Sequence, residues 1–123
     1  MSSGGDRKLL GRWGEATVAE DMRKNGWSII AAGFSTRFGE IDLIATNDTY
    51  LSFTEVKLRR DSRFAQAREF VDGKKQERLR TTAEQFLAKY PTQLQPRFDV
   101  VEVYAPQGME TEHPIIRYFE NAF

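Results

Sequence analysis

Residues 40–57 have the sequence EIDLIATNDTYLSFTEVK, and this segment decides the fold. It contains two apolar stretches, residues 40–45 and 50–57, on either side of the turn signal Asn47-Asp48. Short runs of β-branched and aromatic residues that flank such a turn are typical of a β-hairpin. We therefore predict two antiparallel strands here.

The faces of these strands determine which side chains can act together, because side chains alternate along a strand. One face of the second strand carries Leu51, Phe53, Glu55 and Lys57. If residues 47–48 form a two-residue turn, Asp42 lies opposite Phe53 and has Glu55 as its diagonal neighbour, about 7–8 Å away at the backbone. A bulge or a three-residue turn would shift the pairing by one residue and turn Asp42 to the other face.

The residue types on this face suit divalent-cation chemistry. Hard cations such as Mg²⁺ or Mn²⁺ prefer oxygen ligands and are usually held by one or two carboxylates, here Asp42 and Glu55. A nearby ammonium, Lys57, can orient an attacking water and offset charge that develops on a phosphate. Glu15 could supply a further carboxylate if the first helix packs across the hairpin.

These residues also have simpler interpretations. A Glu-x-Lys in a strand is more often a solvated face or a cross-strand ion pair than a catalytic pair. Glu15 lies on a helix, where glutamates are usually exposed. Gly11 and Gly14 beside it indicate a close backbone approach, although glycines also start helices.

The rest of the chain alternates helical and strand patterns. We predict a helix over 8–25 closed by Gly26, then a short strand plus loop from residue 27 with Gly33 and Gly39 as interruptions, and a mobile loop or short helix over 59–71. A second helix over 73–90, a buried strand over 97–104 and an edge strand over 115–119 follow. This order predicts a single α/β domain over residues 1–123, with a mixed sheet flanked by helices, a core over 8–104 and an acidic C-terminal extension over 105–123.

Composition excludes several kinds of chemistry. The chain has no cysteine and one histidine, His113, so thiolate sites and paired-histidine zinc sites are excluded. A serine triad would need His113 close to its nucleophile. The N-terminal residues lack the apolar run of a signal peptide, and no stretch approaches the roughly 20 apolar residues that span a bilayer. We therefore expect a cytoplasmic protein without a membrane partner.

The charge is unevenly distributed although 18 basic residues balance 18 acidic ones. Residues 57–80 contain nine basic and four acidic side chains, whereas residues 99–123 contain five acids and one arginine. The basic segment predicts contacts with nucleic-acid phosphates; its candidate residues are Arg59, Arg60, Lys75 and Arg78. An ordinary solvated helix face explains Lys75 and Arg78 nearly as well. Asp99, close to Arg97, is predicted to pair with a neighbouring cation.

Five motifs occur in order over residues 8–104. They are Gly11-Arg-Trp-Gly-Glu15, Phe38-Gly-Glu-Ile-Asp-Leu-Ile-Ala45, Phe53-Thr-Glu-Val-Lys57 with Arg59, Lys75-Gln76 with Arg78-Leu79, and Arg97-Phe-Asp-Val-Val101. As a set they resemble the YraN-like family of small, uncharacterised bacterial proteins, which looks like a branch of the PD-(D/E)xK nuclease superfamily akin to archaeal Holliday junction resolvases. The resemblance implies a restriction-endonuclease-like αβββαβ core whose active-site signature is Asp42, Glu55 and Lys57. It also matches Glu15 to the acid on the family's first helix, while Ile41 stands where the superfamily's name-giving proline would be.

Our leading hypothesis from the sequence is a Mg²⁺- or Mn²⁺-dependent endonuclease that acts on structured or branched nucleic acid, DNA rather than RNA. The alternative is a nucleic-acid-binding module that uses the same basic surface without cutting. A third interpretation is a scaffold that recruits proteins through residues 105–123. A homodimer would suit the leading hypothesis, because cutting two strands together needs two active sites.

Overall fold

In the computed structural model the described residues are 3–60 and 71–123. The elements in chain order are α1 (Ser3–Lys24), β1 (Ser28–Thr36), β2 (Gly39–Thr46), β3 (Tyr50–Arg59), α2 (Gly73–Lys89), β4 (Gln95–Tyr104) and β5 (Ile115–Phe119), with a turn of 3-10 helix at Gly108–Glu110. This is the order of elements predicted from the sequence. The predicted mobile loop or short helix over 59–71 falls mostly on residues 61–70, which lie outside the described residues.

The five strands form one mixed sheet in the order β1-β2-β3-β4-β5. β1, β2 and β3 pair antiparallel, β4 runs parallel to β3, and β5 returns antiparallel along β4. A parallel pair needs a long crossover connection, and α2 forms part of it. The predicted fold class is confirmed: this is an α/β fold with a mixed sheet flanked by two helices, consistent with a restriction-endonuclease-like core.

Each helix covers one apolar cluster on the sheet. The α1 cluster contains Val18, Ala19, Met22, Leu43, Ala45, Val101 and Val103. The α2 cluster contains Ile41, Ile44, Leu51, Phe53, Leu79, Ala83, Phe86 and Val100. In the second cluster Phe86 packs edge-on against Phe34 and Phe53, with ring centroids 5.2 and 5.9 Å apart. Among the residues described, neither helix is long and apolar enough to cross a bilayer.

The first helix ends where the sequence predicts, at Gly26. Gly26 has a φ of +90° and donates its N–H to the Arg23 carbonyl, while Trp27 donates to Met22. These two hydrogen bonds form a Schellman motif, which satisfies the last carbonyls of the helix and favours glycine at its turn. The helix begins earlier than predicted, at Ser3.

The interruption predicted at Gly33 is wrong, whereas the chain does turn immediately before Gly39. β1 continues through Gly33 to Thr36, and Gly39 begins β2 after a tight turn. Gly33 has a φ of +71°, and its two neighbours pair with the residues that flank Asp42. Because pairing on both sides holds the strand in place, the glycine distorts the strand locally instead of ending it.

The β2–β3 hairpin is confirmed, but its turn lies one residue later than predicted. Asn47 donates its N–H to the Tyr50 carbonyl at 3.1 Å, which makes Asp48 and Thr49 the central residues. The Asn47 side chain stabilises this turn by accepting the Tyr50 N–H at 2.7 Å. A turn one residue later changes every pairing by two positions, so each side chain remains on its predicted face.

The second helix matches its predicted limits. Asp72 caps it by accepting the Lys75 N–H at 2.9 Å, and Tyr90 is the C-terminal cap, followed by Pro91. Such a side-chain cap satisfies one of the N–H groups that the first turn leaves without a helical partner. The start of α2 is therefore held in place beside the ends of β2 and β3.

The chain after β4 belongs to the sheet. The predicted edge strand over 115–119 is confirmed as β5, which pairs with β4. Beyond it the Ala122 N–H donates to the Phe98 carbonyl at 2.7 Å, and the Phe123 ring stacks on Phe98 with centroids 5.0 Å apart. The acidic segment therefore covers the outer edge of β4 and completes the fold.

Asp99 joins these elements. It is 3% exposed and pairs with Arg97 at 2.9 Å, which confirms the predicted ion pair with a neighbouring cation. It also accepts hydrogen bonds from the Ser52 hydroxyl and from the Asn121 N–H. Asp99 thus connects β3, β4 and the C-terminal segment, and its role is structural.

Candidate active site

An open groove of about 620 Å³ lies between β2, β3 and the first turns of α2. Gly39 and Leu79 form its apolar lining. The other side chains that line it are charged: Glu40, Asp42, Glu55, Asp72, Lys74, Lys75 and Arg78. The groove therefore contains both predicted metal ligands and two of the predicted phosphate contacts.

The carboxylates of Asp42 and Glu55 come together because of the observed register. Leu43 pairs with Thr54, which places the next residues outward, Asp42 and Glu55, opposite each other instead of on a diagonal. Asp42 Oδ2 accepts the Val56 N–H at 2.8 Å, which orients the carboxylate across the strand pair. Glu55 is 5% exposed. The two predicted ligands are thus closer than the sequence-based register placed them.

The proximity of the two acids changes the protonation of Asp42. Burial, the hydrogen bond that the protonated carboxyl makes with Glu55, and the negative charge of Glu55 raise the pKa of Asp42 to about 8. The Val56 N–H acts in the opposite direction because it stabilises the charged form. A proton on Asp42 therefore relieves the repulsion between the carboxylates near neutral pH.

Two lysines lie beside this pair of acids. Lys75 Nζ is 2.7 Å from Glu55 Oε2. Burial lowers the pKa of Lys57, and the charge of the neighbouring Lys75 lowers it further. Burial acts against the charged form of Lys75 too, but the contact with Glu55 and its charge outweigh it and raise the pKa of Lys75. Lys57 is therefore the ammonium that releases its proton more readily, and Lys75 is the one that keeps it.

The donor set of this site fits a hard divalent cation held by few protein ligands. Among the side chains that the structure describes, those of residues 7–60 and 71–123, there is no group of three acidic or histidine residues arranged around a metal position. Mg²⁺ is commonly held by one or two carboxylates, with water and substrate phosphate as its other ligands. Asp42 and Glu55 match that pattern, because two facing carboxylates that otherwise share a proton form a favourable environment for a cation.

Glu15 approaches the same region from α1. Burial raises the pKa of Glu15, and the charges of Glu40 and Glu55 raise it further. The helix packs closely here, since a Cβ at Gly14 would lie 3.1 Å from the Leu58 side chain. The close approach that Gly14 suggests is confirmed, but the same prediction for Gly11 is wrong, because a Cβ there would meet nothing within 4 Å. Glu15 lies close enough to Glu55 to be affected by its charge.

The three predicted arginines lie in different environments. Arg78 is exposed and lines the groove. Arg60 is exposed at the end of β3. Arg59 Nε lies 3.6 Å from Glu102 Oε2, and that fully buried acid also accepts a 2.7 Å hydrogen bond from the Tyr104 hydroxyl. Of the three, Arg78 is the one positioned to contact a molecule in the groove.

Lys75 is the residue whose position could not be foreseen. From the sequence we predict only a phosphate contact for it, yet its ammonium lies against Glu55 at the centre of the site. The contact joins residues 20 positions apart in the chain and depends on how α2 packs, which no local pattern encodes. One signal exists: lysines in a first helical turn oppose the helix dipole, which suggests a role other than helix stability.

Comparisons with known proteins place this chain in a family. A sequence model described as "Uncharacterised protein family UPF0102" matches residues 14–103. A UPF0102 protein from Pelotomaculum thermopropionicum is 37% identical over 118 residues, which cover 95% of this chain and 97% of that protein. UPF0102 proteins from Syntrophomonas wolfei and Caldicellulosiruptor bescii are 37% and 39% identical over 111 and 99 residues, covering 89% and 79% of this chain and 96% and 83% of those proteins. The chain therefore belongs to the UPF0102 family, the YraN-like family that its motifs resemble.

Proposed function

We propose that this protein is a metal-dependent endonuclease that hydrolyses phosphodiester bonds in nucleic acid. The observation that carries the proposal is the facing pair of Asp42 and Glu55 in an open groove, with Lys75 beside it. Lys57 lies close enough for the charges of both acids to act on it. Burying two acids against each other is unfavourable unless a cation or a proton compensates them. A divalent cation bound between Asp42 and Glu55 would compensate their negative charges.

Each residue has a role that follows from its position. Asp42 and Glu55 hold Mg²⁺ or Mn²⁺, which when bound lowers the pKa of a coordinated water and offsets charge on the scissile phosphate. Lys57 shares their strand face, and its lowered pKa suits a group that orients the attacking water or exchanges a proton with it. Glu15 adds negative potential on the α1 side and favours cation binding there.

The α2 side of the groove supplies the basic surface for the substrate. Lys75 and Arg78 both line it, and the groove is open to solvent along this side. Cationic side chains beside the carboxylate pair bind the phosphate backbone of a nucleic acid and position it over the metal site. The family resemblance to junction resolvases favours structured or branched DNA over RNA as the substrate, and concerted cutting of both strands would require two copies of the chain.

The test is cleavage of an end-labelled panel containing linear duplex, single strand, flap, four-way junction and structured RNA. Each substrate is incubated with Mg²⁺, Mn²⁺ or EDTA and with wild-type protein, Glu55→Gln, Lys57→Ala or Glu40→Gln. Glu40 is an exposed acid in the same groove and serves as the matched charge control. We expect metal-dependent cutting by the wild type and Glu40→Gln, and a loss of at least about 100-fold in the other two variants. Cutting that persists in folded Glu55→Gln would disprove the assignment.

A second function is favoured by one observation. Lys75 compensates the charge of Glu55 without a metal. The same groove could therefore bind nucleic acid without cutting it. A binding module of this kind would bind DNA in EDTA with an affinity that falls steeply with salt. Equal binding of the panel with and without metal, together with no cleavage of any member, would select this function.

A further inference from the structure

In the metal-free protein, Lys75 contacts the Glu55 carboxylate that a metal ion would need as a ligand. Glu55 Oε2 is buried, and its partner is the Lys75 ammonium 2.7 Å away. The side chains differ in exposure, 6% for Glu55 and 39% for Lys75. The carboxylate is therefore fixed in the sheet, whereas the ammonium can leave toward the solvent along the groove.

The position of Lys75 is set by the start of α2. Asp72 accepts the Lys75 N–H at 2.9 Å, and the Gln76 side chain donates to the Val71 carbonyl at 2.9 Å. These caps fix the backbone, so the long side chain is the part that can move. A lysine in the first turn opposes the helix dipole and does not serve the stability of α2. Its contact with Glu55 explains why it is tolerated there.

The same carboxylate is one of the two ligands that a divalent cation requires. An ammonium and a divalent cation cannot both contact Glu55 Oε2, because this oxygen is buried and the two positive charges repel each other. Metal binding therefore requires Lys75 to move away. A phosphate in the groove gives the displaced ammonium a new anionic partner, because Lys75 also lines that groove.

We propose that Lys75 is a displaceable counter-ion of Glu55, so that metal and nucleic acid bind with positive coupling and the free protein holds metal weakly. The proposal rests on the nuclease function proposed above and adds its regulation, because the site binds metal more tightly when nucleic acid is present. Coupling of this kind is reciprocal, so metal strengthens the binding of nucleic acid by the same factor.

The experiment is a Mn²⁺ titration of the full-length protein without nucleic acid, with free Mn²⁺ measured by electron paramagnetic resonance. The variants are Lys75→Gln, Lys75→Arg and the matched control Lys74→Gln, whose exposed side chain lies in the same helical turn and lines the same groove. We expect Lys75→Gln to bind Mn²⁺ about tenfold or more tightly than wild type, as expected when one neighbouring positive charge is removed from a carboxylate. Lys75→Arg and Lys74→Gln should stay within about twofold of wild type.

A second titration in the presence of a phosphorothioate duplex tests the coupling. Mn²⁺ affinity should rise with duplex for the wild type and change little for Lys75→Gln, because that variant has no ammonium to displace. If wild type and Lys75→Gln bind Mn²⁺ equally without duplex, Lys75 is not a counter-ion and the proposal is overturned, while the nuclease assignment stands. If neither binds Mn²⁺ at millimolar concentration with or without duplex, both the proposal and the metal-dependent function are overturned.

Discussion

Replacing Asp42 with Asn should make the metal-free protein more stable, and increasingly so as pH rises. In the unfolded chain the Asp42 carboxyl has the ordinary aspartate pKa of 3.8, whereas burial and the contact with Glu55 raise its pKa to about 8 in the folded protein. Between these values the folded protein binds the additional proton. Stability contributed by the protonated carboxyl is therefore present at low pH and is lost as pH rises toward 8.

The size of the effect follows from the linkage between protonation and folding. One proton bound only by the folded state changes the free energy of unfolding by roughly 1 kcal/mol for each pH unit. Asparagine at position 42 keeps an oxygen for the Val56 N–H but has no proton to lose. The variant should therefore become more stable relative to wild type by roughly that amount per unit between pH 5 and pH 8.

The assay is urea denaturation in EDTA at pH 5, 6, 7 and 8 for wild type, Asp42→Asn and Glu40→Gln. Glu40→Gln removes an exposed acid from the same groove and should change in parallel with wild type. Adding Mg²⁺ should stabilise the wild type most at pH 8, because metal binding releases the Asp42 proton, and should not stabilise Asp42→Asn. A constant difference between wild type and Asp42→Asn at all four pH values would refute the assigned protonation.

Three further predictions concern the framework around the site. Asp99→Ala should destabilise the fold by about 3–5 kcal/mol in urea, because it removes the buried acid that pairs with the Arg97 guanidinium, 12% exposed, and leaves it the exposed Glu120 carboxylate 3.8 Å away. Cleavage per folded molecule should not change. Phe86→Ala should cost about 3–5 kcal/mol, since it removes the α2 ring that packs edge-on against Phe34 and Phe53 of the sheet. A change below about 1 kcal/mol would contradict the packing described. Truncation after residue 114 removes β5 and uncovers the edge of β4, and we expect a lower melting temperature and aggregation on gel filtration.

The sequence predicts which side chains share a face of the hairpin, because this alternation does not change when the turn lies one residue later. The predicted turn at residues 47–48 was displaced by one residue, which shifted the pairing by two positions and left Asp42 and Glu55 on one face. A shift of one position would have separated them. The sequence could therefore predict which acids share a face, but not that they lie directly opposite each other, because side-chain capping by Asn47 decides the turn.

What the sequence could not predict depends on contacts between distant elements. The packing of α2 brings Lys75 to Glu55, and the pairing of Arg59 with the buried Glu102 requires β3 and β4 to be neighbours. The prediction that Gly33 interrupts β1 is wrong for a related reason. Gly33 looks like a strand breaker in isolation, and only the pairing of its neighbours with β2 keeps it within β1.

The arrangement of charges at the site is itself an argument for function. Two acids and two lysines are gathered at one end of a sheet whose other positions on the α2 side are filled by apolar residues such as Phe53. Well-packed apolar residues in place of a buried charged pair are often as stable or more stable, so stability alone does not account for Asp42 and Glu55 facing each other. Groups whose pKa values are shifted by burial and by specific neighbours concentrate at functional sites. In this fold the proton on Asp42 and the ammonium of Lys75 compensate the two carboxylates in the absence of a cation, and both can leave when one binds.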